Sequence, residues 1–159
     1  MFNLDGDQLY LIRQKELFER WRHLYIVEAM KKTAQNWLET SEYDLTTAEH
    51  MLKTGRHLYV VYLCHLSIEK ILKAIVAENQ DGLPPKTHNL YHLVKLISLE
   101  IPSQFKQIVA DLNSASLPVR YPEDLQKLSS QYTQKVAEVY LNQTKECHSW
   151  LKRHPKLAK

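Results

Sequence analysis

An all-α fold, an up-and-down bundle of four to five helices with an extra helix at the N-terminus, is predicted by three features of the sequence. Only 3 glycines and 6 prolines interrupt 159 residues, so turns are few and segments are long. Apolar side chains recur at spacings of three and four through most of the chain, which is the helical period and not the alternation of strands. The stretch from His57 to Gln80 lacks Gly and Pro and is apolar at almost every angular position, as in a helix enclosed by others.

The elements follow in order. In residues 1–29, Leu9, Ile12, Leu17, Trp21, Leu24 and Val27 suggest an amphipathic helix with Arg13, Glu16 and Arg20 outside and Asp5 or Asp7 as its cap. Met30 is a second plausible start, so this stretch reads either as an added arm or as an upstream extension. From Lys31 to Thr54, the residues Ala34, Trp37, Leu38, Ser41, Leu45, Ala48 and Leu52 form one stripe, and Gly55 is placed to end it in a left-handed cap. The central helix follows at once, so the two should pack antiparallel.

Asp81–Asn89, DGLPPKTHN, is the clearest loop. Thr87 or Asn89 then caps a helix with Leu90, Leu93, Val94, Ile97 and Ile101 inside. Pro102 breaks it and opens a short helix with Phe105, Ile108, Val109 and Leu112 inside. Residues 113–122 read as a second loop. A last helix is expected from Pro122, running seven turns on the stripe Leu125, Leu128, Tyr132, Val136, Val139, Gln143, Cys147 and Trp150. The expected organisation is an arm at 1–29, a bundle at 30–153 and a basic tail at 154–159.

Composition excludes several classes. A net charge of +3 is too small for bulk nucleic-acid binding. The two cysteines, Cys64 and Cys147, lie among apolar neighbours and read as core residues, which fits a reducing, cytoplasmic setting. No apolar run reaches the ~18 residues that a membrane span needs, and Arg13, Lys15, Glu16, Glu19 and Arg20 stand where a signal peptide would be apolar.

Few motifs carry chemistry. His88 and His92 share a helical face, but HNLYH lacks the glutamate of HExxH, and no metal or other cofactor is expected. There is no glycine-rich phosphate loop and no nucleophile elbow. On the central helix Tyr62, His65, Glu69 and Lys73 form a polar stripe. Either Glu69 and Lys73 pair internally, or the stripe faces a cleft or a partner chain. Arg120-Tyr121-Pro122-Glu123 sets a cation before an expected helix start, a natural anion site. The alternative is that Arg120 pairs with an acid such as Glu123.

In this order, WLETSEYDLTTAEHMLKTG, CHLSIEKILKAIV, KTHNLYHLVKL and VRYPE resemble the helices and motifs of the HEPN family of small prokaryotic helical bundles. The resemblance runs from about residue 31 to 152. It implies a fold like that of nucleotidyltransferase substrate-binding subunits, and a homodimer or a complex with a small nucleotidyltransferase, often as a toxin–antitoxin pair. Many members are metal-independent ribonucleases marked by an Arg followed, after four to six residues, by a His. Arg120 has no such His, which argues against an enzyme, because cleavage through the 2′-hydroxyl needs a proton acceptor. The likeness to nucleotide-binding members points to Lys70, Lys73, His88, Arg120 and Tyr121 as nucleotide ligands. It leaves Tyr62, His65, Glu69 and Lys73 as candidate interface residues. The expected function is thus a non-catalytic interaction module. The alternatives are a ribonuclease using Arg120 with His88, or a ligand-free homodimeric scaffold.

Overall fold

The computed structural model describes residues 13–17 and 30–158. The chain divides into two units, Met1–Ala29 and Met30–Ala158. In the first, residues 13–17 are helical and exposed, Leu17 included. The rest of the expected N-terminal helix lies outside the described residues.

The second unit is all-helical. Its elements are α1 (Lys32–Lys53), α2 (His57–Asn79), α3 (Leu90–Leu96), α4 (Ser103–Arg120), α5 (Leu125–Gln131) and α6 (Gln134–Lys152). Helix α2 is the axis. Val60, Val61, Ile68, Ile71, Leu72, Ile75 and Val76 are buried on it, and α1, α3, α4, α5 and α6 all pack against it. Burying each such side chain contributes about 1.5–3 kcal/mol, so this helix dominates the hydrophobic stabilisation.

Helix α1 buries Ala34, Leu38, Ser41, Asp44 and Ala48, at steps of four, three, three and four. Gly55, at φ 73°, then reverses the chain. The Arg56 N–H donates to the Met51 carbonyl at 2.8 Å and that of Gly55 to Leu52 at 3.1 Å, the paired bonds of a Schellman cap. The Lys31 amide meets Glu78, Lys73 stacks over Trp37, and Ser41 bonds Ser67. Numbers rise on one helix as they fall on the other, so α1 and α2 are antiparallel. Gly55→Ala would force a Cβ into the left-handed region and is expected to cost about 1–2 kcal/mol in a denaturant melt.

Asn89 caps α3 by accepting from the His92 N–H at 3.0 Å. The helix ends at Leu96, earlier than the sequence suggests, because Ser98 turns left-handed at φ 49°. Its N–H donates to Lys95, and that of Leu99 to Val94.

Two sequence expectations are corrected. Residues 113–120, read as loop, continue α4. Their weak helix formers are outweighed by burial of Ala115 and Val119 against Leu58 and Val61. Pro118 lies two residues from the helix end, so its missing N–H removes a single bond, to the carbonyl of exposed Ser114. The long last helix is in fact two. Asp124 caps α5, accepting from the Lys127 N–H at 2.9 Å, and Thr133 starts α6 afresh, accepting from the Val136 N–H at 3.4 Å. The restart changes the helical phase. Ala137, Leu141, Thr144, Cys147, His148 and Leu151 form the inner stripe of α6, while Leu125, Val139 and Gln143 are exposed. Phe105 and Trp150, 5.4 Å apart between ring centres, join α4 to α6.

A polar pair crosses this core. The Ser41 hydroxyl donates to the Ser67 carbonyl at 2.7 Å, so it must accept from His148 Nε2, 2.8 Å away. His148 is therefore held as the neutral Nε2–H tautomer. Burial drives its pKa from the ordinary 6.5 down to about 4, with Lys152 also lowering it and Glu42 opposing. Among the described residues no helix is long and apolar enough to cross a membrane.

Candidate functional site: a buried carboxylate among cations

The polar stripe of α2 converges on Glu69, which is buried. One carboxylate oxygen, Oε1, accepts from Lys73 Nζ at 2.7 Å, one helical turn on. The other, Oε2, faces three side chains from three segments. His88 Nδ1, from the loop before α3, lies at 2.9 Å; His65 Nε2, one turn back on α2, at 3.3 Å; and an Arg120 guanidinium nitrogen, from the last turn of α4, at 3.4 Å.

Each partner is positioned by its own element. Lys73 Nζ stands 5.2 Å from the centre of the Trp37 ring, and the Arg120 guanidinium carbon stands 5.6 Å from that of Tyr62. Both cations thus lie over aromatic faces, an arrangement that stabilises a desolvated charge. His65 Nδ1 donates to the Leu112 carbonyl at 3.1 Å, tying α2 to α4.

Burial alone would raise the pKa of Glu69. The hydrogen bonds from His65, Lys73 and His88, with the charge of Lys73, reverse that and bring it down to about 2. The carboxylate is therefore ionised across the physiological range. It is still one charge facing two cationic side chains that are themselves only 7% and 11% exposed, Lys73 and Arg120. Two imidazoles share the same oxygen. His88 is 62% exposed, so the cluster reaches solvent along that side chain.

Of the five nucleotide-ligand candidates, the fold brings Lys73, His88 and Arg120 together on Glu69. Lys70 turns away from the stripe, and its Nζ pairs with Asp44 Oδ2 at 2.5 Å. Burial, ahead of the lowering influence of Lys70, raises the Asp44 pKa. Tyr121 is exposed and lines a surface groove with Arg120. Of the interface candidates, His65, Glu69 and Lys73 are buried and bonded to one another within the chain, and Tyr62 carries Arg120 on its ring. The internal Glu69–Lys73 pairing is thus present.

The expected setting of Arg120 is corrected. It does not precede a helix start. It closes α4, where a cation suits the carbonyl end of the helix, and α5 begins only after the Asp124 cap. Its acidic partner is Glu69, 51 residues away, in place of Glu123. Sequence reasoning missed Glu69 as the hub, and gave Trp37 and Tyr59 no part in a site. The available signal was charge: a carboxylate such as Glu69, midway along an otherwise apolar central helix, needs partners from elsewhere. Cys64 and Cys147 are buried, and burial pushes both thiols up to about 12, so neither is a nucleophile. Among the described residues no group of three His, Cys, Asp or Glu could hold a metal ion.

The family model of the HEPN domain matches residues 34–154. Among solved structures, the chain is similar to TT1696 from Thermus thermophilus, at 18% identity and a TM-score of 0.66, covering 77% of this chain and 98% of that one. It is also similar to ST0689, an archaeal HEPN homologue, at 21% identity and a TM-score of 0.61, covering 77% and 97%. At these identities the two structures speak for the fold alone. No curated protein matches the chain in sequence. The match over residues 34–154 spans all six helices of the bundle except the first two residues of α1, and the chain belongs to the HEPN domain family.

Proposed function

We propose that the chain is a non-catalytic interaction module that takes a phosphate group, as part of a nucleotide, at the Glu69 cluster. Its partner would be a second copy or a small nucleotidyltransferase, in a toxin–antitoxin type of system. One observation carries the phosphate reading: Lys73 and Arg120 are mostly buried, and among the described residues Glu69 is the one carboxylate they share. Removing charge from water is costly unless it is matched, and a phosphate at the His88 opening would supply the missing anion. Arg120 and His88, the members on the exposed side, would be its direct ligands.

Calorimetric titration of the protein with ATP and GTP tests this. Wild type is expected to bind, and Arg120→Ala to bind at least about tenfold more weakly, the loss of one charge-assisted contact. No heat with either nucleotide, or equal affinity in Arg120→Ala, contradicts it.

A second reading is supported by a specific feature. His88 and Arg120, which the sequence does not set at the ribonuclease spacing, meet at one oxygen of Glu69. With Nδ1–H on Glu69, the Nε2 lone pair of His88 is left to accept a proton, such as that of a ribose 2′-hydroxyl. RNA cleavage by wild type that is lost in His88→Ala would establish this reading in place of the first.

A further inference from the structure

Beside Arg120 lies a groove of about 270 Å³ between the first turns of α2 and the end of α4. Tyr59 and Tyr62 line it from α2; Arg120, Tyr121, Pro122 and Leu125 line it from the far side. We propose that this groove is the base-binding half of the site, and that the ligand is a nucleoside phosphate whose ring stacks on Tyr59 and Tyr121. This rests on the reading that Arg120 takes the phosphate.

Three observations lead here. Tyr59, Tyr121 and Leu125 are 54%, 74% and 58% exposed, although each could bury a large apolar face. Leu58 and Val119, which also line the groove, belong to a buried cluster with Val61 and Ala115 on which Tyr62 packs, so the groove has a firm floor. Arg120 belongs to both halves, since its guanidinium lies over Tyr62 and also reaches Glu69. A ligand held by that guanidinium is within reach of the aromatic rims.

Charge selects this groove over its neighbour. Among the described residues, none of those lining it is acidic. The adjoining groove, of about 440 Å³, shares Tyr121 and Pro122 but sets two acids, Glu123 and Asp124, against one cation, Lys127, so its lining is net negative and disfavours phosphate. An anion joined to a flat ring therefore matches the Arg120 side. Tyrosine faces favour bases without regard to sequence, because every base has a π-face. The site would bind purine and pyrimidine nucleotides alike.

The test is titration of the full chain with ATP and with tripolyphosphate, in wild type, Tyr59→Ala and Tyr121→Ala. Both tyrosines are exposed, so neither change should disturb the fold. Wild type is expected to bind ATP at least about tenfold more tightly than tripolyphosphate, the contribution of a stacked base. Each tyrosine variant should lose that advantage and keep its tripolyphosphate affinity. Equal affinities for the two ligands in wild type would overturn the base subsite while leaving the phosphate reading intact. So would variants that change only the oligomeric state, which would make the groove a contact between copies. If neither ligand binds, both proposals fail.

Discussion

Glu69→Gln is expected to lower the stability of the bundle by about 3–5 kcal/mol, the usual result of removing one member of a buried charge group. The loss is large because the change acts twice. It removes the negative charge that Lys73 and Arg120 share, and it places an amide N–H among side chains that are themselves donors. The substitution is nearly isosteric, so packing does not explain the result. Urea unfolding followed by circular dichroism reads it as a shift of midpoint at unchanged slope. A loss below about 1 kcal/mol would mean that solvent, not Glu69, balances these cations.

Acid is expected to weaken the fold through His148. In the unfolded chain this ring titrates near 6.5, whereas in the core it is held neutral down to about 4. Between those values the unfolded chain binds more protons, so stability falls as the pH is lowered from 6.5 to 4, by about 3 kcal/mol in all. Glu69 acts in a lower window. Its pKa is depressed from 4.5 to about 2, so its contribution is present above 4.5 and is lost as the pH falls toward 2. His148→Gln keeps a donor for Ser41 and has no titration. Its stability should fall less steeply from pH 6.5 to 5 than that of wild type, the slope that remains including His154, whose pKa burial also lowers. The same slope in both proteins would assign the acid sensitivity elsewhere.

What the sequence made legible follows from how local each signal is. The α2 core, the Gly55 cap and the Asn89 cap are written in neighbouring residues, and the structure has all three. The last turns of α4 are not local. Ser114, Ser116 and Pro118 argue for a loop, and only the contacts of Ala115 and Val119 with Leu58 and Val61 show why the helix continues. The opposite error at Tyr132–Thr133 has a related cause. Spacings of three and four survived the restart at the Thr133 cap, so the apolar pattern seemed continuous while its phase had changed.

The site was partly legible for the same reason. His65, Glu69 and Lys73 lie one turn apart and declare themselves as a stripe. That Arg120 and His88 close on that stripe depends on how α4 and the loop before α3 pack against α2, which no local spacing encodes. Lys70 looked equivalent to Lys73, yet one residue of helix turns it about 100° away from Glu69, toward Asp44 on α1. Tyr59 belongs to no motif and carries no charge, and only the groove it lines beside Arg120, formed by α2 and the end of α4, sets it apart.

The central claim is that the Glu69 cluster lacks an anion and that a phosphate completes it. Thermal melting of wild type and Glu69→Gln, each with increasing tripolyphosphate at constant ionic strength, tests it most directly. A ligand that binds only the folded chain raises the melting temperature in step with its affinity. Tripolyphosphate should stabilise wild type, and should stabilise Glu69→Gln more, because the variant has lost its internal counter-charge and leaves Lys73 and Arg120 to the ligand. No rise in either protein, or a smaller rise in the variant, would contradict the claim.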